Sequence, residues 1–123
     1  MKILAVDTST TTCSVAIVDK TSLLSEFTLD REETHSKHLM DMIKTVLRMS
    51  GLFFSDLDGF AVTRGPGSFT GLRIGISTIK GLAVASEKPV VGVSSLETLA
   101  FQVSYSHDLI CPILDARKGE VYF

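Results

Sequence analysis

The sequence predicts an α/β fold with a mixed sheet, in which three antiparallel strands come first and helices flank the sheet. Two observations predict it. Short apolar runs separated by polar turns occupy the first thirty residues. From Leu39 onward, apolar residues recur at helical spacing in segments that alternate with further short apolar runs. Leading strands followed by alternating helices and strands indicate a mixed α/β sheet.

The first three strands are predicted at residues 3–7, 13–19 and 23–30. "TSTTT" supplies turn-forming hydroxyls after the first strand, and the second turn is centred on Asp19, Lys20 and Thr21. In the polar segment "REETHSK" that follows, apolar residues do not recur at a helix or strand spacing.

Helices and strands alternate after that segment. The first helix begins near Leu39, buries one side and ends at Gly51, which suits a left-handed cap. A strand at 59–64, a helix at 70–86, a strand at 90–94 and a helix at 95–105 follow. The chain closes with an apolar strand "LICPILD", a turn through "ARKG", and "EVYF". This order fits a ribonuclease-H-like lobe.

The composition limits the classes of function that the protein could have. The 123 residues carry a net formal charge of -2 and 45% hydrophobic residues, which predicts one globular domain and gives no electrostatic basis for gripping nucleic acid over a broad face. We read neither an export signal nor a membrane span and expect a cytoplasmic protein. Cys13 and Cys111 both lie in apolar strand patterns, so we expect two buried, unpaired thiols.

The loop "RGPGSFTGLRIG" has two interpretations. Gly65 and Gly67 could let backbone N–H groups approach a phosphate at the start of the second helix. The loop lacks the Gly-Lys-Ser/Thr ending of a Walker loop, however, and matches the dinucleotide fingerprint only loosely. Shaping a turn is the alternative.

The second helix carries small residues on one face, where Gly71, Gly75, Thr78, Leu82 and Ala85 align. Because a glycine costs about 1 kcal/mol against alanine inside a helix, two on one face suggest a packing purpose. The face could admit a helix of a partner, or it could pack only on the protein's own first helix.

Five segments together resemble the amino-terminal lobe of the bacterial TsaB (YeaZ) family: "ILAVDTSTTTCSVAIV", "HSKHLM", "RGPGSFTGLRIGISTIKGLA", "PVVGVSSLETLA" and "DARKGEVYF". The resemblance implies a ribonuclease-H-like lobe of the actin-like ATPase (Hsp70 and sugar kinase) superfamily. Residues 1–123 would form one such lobe, with the second lobe absent through truncation. It also implies a non-catalytic dimerization subunit that binds the homologous catalytic subunit TsaD for threonylcarbamoylation of adenosine 37 in tRNA.

The same resemblance implies a third member, the P-loop ATPase TsaE, and contact with tRNA only through the complex. We expect the first two helices to form a four-helix bundle with the partner, and the isolated protein to form a homodimer through the same surface. The predicted partner interface comprises Leu39, Met42, Ile43, Val46, Met49, Gly71, Gly75, Thr78 and Leu82.

The resemblance also singles out the turn of Asp7, Thr8 and Ser9, which approaches phosphate and metal in actin-like ATPases. With Gly65 and Gly67 it would form the remnant of a nucleotide site, or its polar groups would only satisfy the turn's own backbone. We expect no cofactor, although ATP with Mg²⁺ occurs in the wider superfamily.

Two further functions compete with the scaffold. The Asp7 turn and the glycine loop would suit an ATP-binding or ATP-hydrolysing enzyme. His35 and His38 could share a metal in a peptidase, with Glu32 and Glu33 near in sequence, but no third ligand is evident and a solvated helix start is the simpler interpretation. Three charged residues could form either a salt-bridged hairpin or a partner contact, namely Asp115, Arg117 and Glu120.

Overall fold

The computed structural model of the protein describes residues 1–30 and 35–123. Within them the strands are β1 (Ile3–Asp7), β2 (Thr12–Val18), β3 (Leu23–Asp30), β4 (Gly59–Gly65), β5 (Val90–Ser94), β6 (Leu114–Arg117) and β7 (Glu120–Tyr122). The α-helices are α1 (His35–Met49), α2 (Phe69–Ser86) and α3 (Ser95–Phe101), and a short 3-10 helix covers Phe54–Asp56.

Five strands form one mixed sheet in the order β3-β2-β1-β4-β5. The first three are antiparallel neighbours, whereas β4 pairs with β1, and β5 with β4, in parallel. The predicted mixed sheet with three antiparallel leading strands is therefore confirmed. Among the described strands, β6 and β7 pair only with each other, in a separate hairpin.

The core lies between this sheet and the first two helices, because one face of each central strand is apolar. In β1 and β2 buried residues alternate with half-buried ones, and Leu4, which is fully buried, stands opposite Ile17 on one side and Phe60 on the other. Helix α1 packs on β2 and β3, and α2 packs on β4 and β1. Burying one such aliphatic side chain stabilises the fold by about 1.5–3 kcal/mol.

Helix α1 ends as the sequence predicts. Gly51 has a φ of +67°, its N–H donates to the Arg48 carbonyl at 3.1 Å, and the Leu52 N–H donates to the Leu47 carbonyl at 3.0 Å. These bonds satisfy carbonyls that the last turn leaves without a helical partner, and a glycine takes the left-handed conformation at little cost.

Three predicted boundaries are wrong. Helix α1 begins at His35, four residues before apolar residues start to recur at helical spacing. The prediction missed this first turn because its residues are polar and show no hydrophobic pattern. Helix α3 ends at Phe101, after which the N–H groups of residues 102–104 bond to carbonyls three residues back. The apolar run at 109–113 forms no strand, and Pro112 within it has no N–H to give to a ladder.

The two cysteines differ in environment. Cys13 is 1% exposed on β2, as expected, whereas Cys111 is exposed, so the prediction of a buried thiol is wrong there. Burial first, and the nearby Asp7 carboxylate second, raise the pKa of the Cys13 thiol to about 11. Because the thiolate is the reactive form, Cys13 is protected by both burial and protonation.

We therefore expect one thiol of this chain to react with Ellman's reagent at pH 8 in the native state and two in denaturant. Cys111→Ser should abolish the native reaction, since Cys13 stays protonated and buried. The absorbance of the released thionitrobenzoate measures both. Rapid native reaction in the Cys111→Ser variant would show that Cys13 is accessible.

Candidate functional site

The turn after β1 is held by the side chain of its own aspartate. One carboxylate oxygen of Asp7, Oδ1, accepts hydrogen bonds from the Ser9 N–H at 2.9 Å, the Ser9 hydroxyl at 2.6 Å and the Thr63 hydroxyl of β4 at 2.9 Å. Hydrogen bonds to an ionised acceptor are the stronger kind. The bonds tie the end of β1 to the end of β4.

The glycine-rich loop closes directly onto this turn. The Ser68 N–H donates to the Ser9 carbonyl at 2.7 Å, and a Cβ placed on Gly67 would overlap that same carbonyl. Ser68 also caps α2, because its hydroxyl accepts from the Gly71 N–H at 3.2 Å. An N–H that a phosphate would need is thus bonded to protein, which is the geometry expected of a structural turn.

The fold brings together, at this end of the sheet, the five residues predicted as the remnant of a nucleotide-binding site. They are Asp7, Thr8, Ser9, Gly65 and Gly67. The hydrogen bonds just described show how their polar groups satisfy one another. ATP binding by these residues stays a prediction.

Gly71 and Gly75 approach a different neighbour from the one their spacing suggests. Thr8 is fully buried, and its hydroxyl donates to the Gly71 carbonyl at 2.6 Å. A Cβ on Gly71 would overlap the Thr8 carbonyl, and a Cβ on Gly75 would overlap the Thr8 hydroxyl. The two glycines therefore let α2 pack on the turn after β1, and a Cβ on Gly71 would also lie 3.2 Å from the His35 ring at the start of α1. A contact of this face with a helix of a partner stays a prediction.

The apolar face of α1 is likewise turned inward. Of its predicted interface residues, Leu39, Met42, Ile43 and Val46 are each at most 4% exposed and belong to the core, whereas Met49 is 63% exposed. On α2, Thr78 and Leu82 are half-buried. The four buried side chains position α1 on the sheet, and a partner contact through the predicted set stays a prediction.

The exposed positions of α1 and α2, which we call the outer helical face, carry both charged and uncharged residues. The uncharged ones include Met40, Met49, Ser77, Gly81, Val84 and Ala85. A Cβ on Gly81 would meet no atom within 4 Å. Ser77, Gly81 and Ala85 repeat at intervals of four, as Gly71 and Gly75 do, so the spacing was present in the sequence but could not tell the inward stripe from the outward one.

His35 lies at the start of α1 and contacts the turn region. Its Nε2 is 2.9 Å from the Thr10 carbonyl, so that nitrogen serves as a donor, and Nδ1 is buried without a hydrogen-bond partner among the described residues. Glu32 and Glu33 lie outside the described residues. Across residues 1–30 and 35–123, no three histidine, cysteine, aspartate or glutamate side chains converge as a metal site would require.

In the hairpin of β6 and β7, one carboxylate side chain accepts a hydrogen bond from the backbone of the hairpin itself. Asp115 Oδ1 accepts a hydrogen bond from the N–H of Arg117 at 2.7 Å.

No helix in the described part of the chain is both long enough and apolar enough to cross a bilayer.

Comparison with known proteins places this geometry in a family. Residues 22–123 match the family model described as "TsaD: tRNA N6-adenosine threonylcarbamoyltransferase". The "tRNA threonylcarbamoyladenosine biosynthesis protein TsaB" of Escherichia coli (strain K12) is 41% identical over 125 residues, which cover 100% of this chain and 54% of that protein.

Two solved structures are similar to the fold. "YeaZ from Pseudomonas aeruginosa" has a TM-score of 0.88 and 36% identity, over 98% of this chain and 57% of the other. The ROK hexokinase of Thermus thermophilus has a TM-score of 0.54 and 18% identity, over 81% of this chain and 37% of the other, which supports the actin-like fold alone. The chain spans about half the length of the curated relatives it matches, at 54% and 53% of the first two.

The contrast between Gly75 and Gly81 gives a stability test. Gly75→Ala should lower the free energy of unfolding by about 1–3 kcal/mol, because the new methyl group overlaps the Thr8 hydroxyl. Gly81→Ala should raise it by up to about 1 kcal/mol, because the methyl group meets nothing and the helix gains propensity. Urea unfolding followed by circular dichroism measures both, and equal effects of the two substitutions would contradict the packing described.

Proposed function

The chain belongs to the TsaD family of tRNA N6-adenosine threonylcarbamoyltransferases, and on that premise we propose that it acts without chemistry of its own, as a scaffold subunit in the synthesis of threonylcarbamoyladenosine in tRNA. It would hold the homologous catalytic subunit TsaD. The naming of a 41% identical relative as TsaB supports this choice within the family. In the protein as a whole, residues 1–123 would be one lobe of a two-lobed actin-like fold.

One observation carries the proposal: the outer helical face exposes large apolar side chains that nothing in the described lobe covers. Met49 is 63% and Val84 79% exposed, at the ends of neighbouring helices. Around Gly81 and Ala85 the α2 backbone can be approached closely, which allows tight helix contact. Exposed apolar surface of this kind marks a protein interaction site.

The arrangement at Asp7 favours a scaffold over an ATPase. A phosphate bound by the Ser9 and Ser68 N–H groups would displace their bonds to Asp7 Oδ1 and to the Ser9 carbonyl. Each net hydrogen bond of this kind contributes about 1–3 kcal/mol, so opening them would cost several kcal/mol before any ligand is bound. The site is built to join β1, β4 and α2.

A bulky side chain at Gly81 tests the interface without disturbing the core. In the full-length protein, Gly81→Phe should leave the unfolding midpoint within a few degrees of the wild type, since the position is open. It should abolish co-purification with TsaD, because the ring holds the partner helix away. Size-exclusion chromatography with light scattering gives the mass of each mixture.

Gly81→Ala is the matched control, since a methyl group adds little width, and it should retain binding. Formation of threonylcarbamoyladenosine in a reconstituted reaction should follow complex formation in both variants. Undiminished binding of TsaD by a folded Gly81→Phe protein would overturn the proposed interface.

A further inference from the structure

A cleft lies beside the glycine-rich loop, at the carboxyl ends of the parallel strands β4 and β5. Its volume is about 560 Å³, which is within the usual range for ligand sites. Open α/β sheets bind ligands in crevices outside the carboxyl ends of their strands. Asp7 and Ser9 do not line this cleft, so a ligand held there would leave the hydrogen bonds of the Asp7 turn intact.

Arg64 is placed at the cleft by a bulge in β4. Thr63 and Gly65 both pair with β5, and the register shifts between them, so Arg64 is the extra residue of the bulge. Bulges redirect a side chain and are frequent beside functional sites. A Cβ on Gly92 of β5 would lie 3.0 Å from Arg64 Cδ, so the glycine makes room for the aliphatic stem. Bulge and glycine together fix where the guanidinium lies.

The lining of the cleft is cationic. Arg64 is exposed, and it is the one charged residue that lines the cleft in the described part of the chain. A guanidinium binds a phosphate or carboxylate with two parallel hydrogen bonds. Because no acid of the described residues shares this lining, the cleft favours an anionic group, although the chain as a whole carries a net charge of -2.

Two aromatic rings and bare backbone form the other walls. Phe69, the first residue of α2, is 74% exposed, and Tyr122 of β7 is 39% exposed. Gly65 and Gly67 add backbone without side chains. Aromatic rings that are open to solvent near a guanidinium form the kind of surface on which unstacked bases bind.

We infer that this cleft binds one unpaired nucleotide, with the phosphate on Arg64 and the base against Phe69 and Tyr122. A nucleotide turned out of an RNA loop and a free nucleotide share this chemistry. The choice of RNA rests on the proposed function, in which tRNA is the substrate of the complex. The cleft then gives this subunit a direct contact with RNA, which departs from the indirect contact that we expected from the sequence.

A fluorescein-labelled single-stranded RNA of 12 nucleotides, titrated with the full-length protein at 50 mM NaCl, tests the site by fluorescence anisotropy. Arg64→Gln removes the charge but keeps a polar side chain, and it should weaken binding by about tenfold or more. It should also reduce the slope of log K against log salt concentration by about 0.7, the value for one phosphate contact. Phe69→Leu should weaken binding at least about fivefold and leave that slope unchanged, because it removes a stacking surface but no charge.

Lys20→Gln and Phe53→Leu are the matched controls. Lys20 is exposed after β2, Phe53 is 78% exposed, and neither lines the cleft. Both should bind RNA within about twofold of the wild type, since no phosphate or stacking contact is removed. Urea unfolding followed by circular dichroism shows whether each variant is folded. Equal losses of RNA binding in folded site variants and folded controls would overturn the inference.

AMP distinguishes the two sources of the nucleotide. Isothermal titration calorimetry with AMP that shows binding to the wild type, and loss of binding in Arg64→Gln, would assign the cleft to a free nucleotide if the RNA does not bind. RNA that binds while AMP does not would assign the cleft to RNA. A wild type that binds neither would overturn the inference.

The outcomes also separate this inference from the proposed function. Co-purification with TsaD should be the same for Arg64→Gln and the wild type. RNA binding that is unchanged in both Arg64→Gln and Phe69→Leu would overturn the inference and leave the scaffold standing. A wild type that fails to bind TsaD, but whose RNA binding is weakened by Arg64→Gln, would overturn the scaffold and support the nucleotide site.

Discussion

The close approach of α2 to Thr8 is the contact on which the rest of this lobe depends. Thr8 is fully buried between the end of β1 and the first turns of α2, and only residues without a Cβ at 71 and 75 allow the helix to lie that near. From this position α2 covers β1 and β4 with its inward stripe. The same rotation of the helix turns Ser77, Gly81, Val84 and Ala85 outward. Packing inside the lobe thereby decides which residues are available to a partner.

The Asp7 turn and the glycine loop serve that contact. Asp7 draws Ser9 and Thr63 together, and Ser9 in turn accepts the Ser68 N–H, so the ends of β1, β4 and the start of α2 form one hydrogen-bonded unit. The polar groups of the turn and of the glycine loop therefore bond to one another, which fixes the start of α2 relative to the sheet.

The outer helical face exposes the apolar side chains of Met49 and Val84 to water. Removing such apolar area from water favours association, and the gain scales with the area that is buried.

The sequence by itself determined the order of strands and helices, the buried period of α1, the Gly51 cap and the family. These follow from local rules, namely the alternation of apolar residues and the conformations open to glycine. Only the tertiary structure decided which small-residue stripe of α2 faces inward and that Cys111 is exposed. A helical pattern fixes which residues share a face, but the neighbour of that face comes from distant parts of the chain. In this protein the neighbour was Thr8, more than sixty residues from the glycines it contacts.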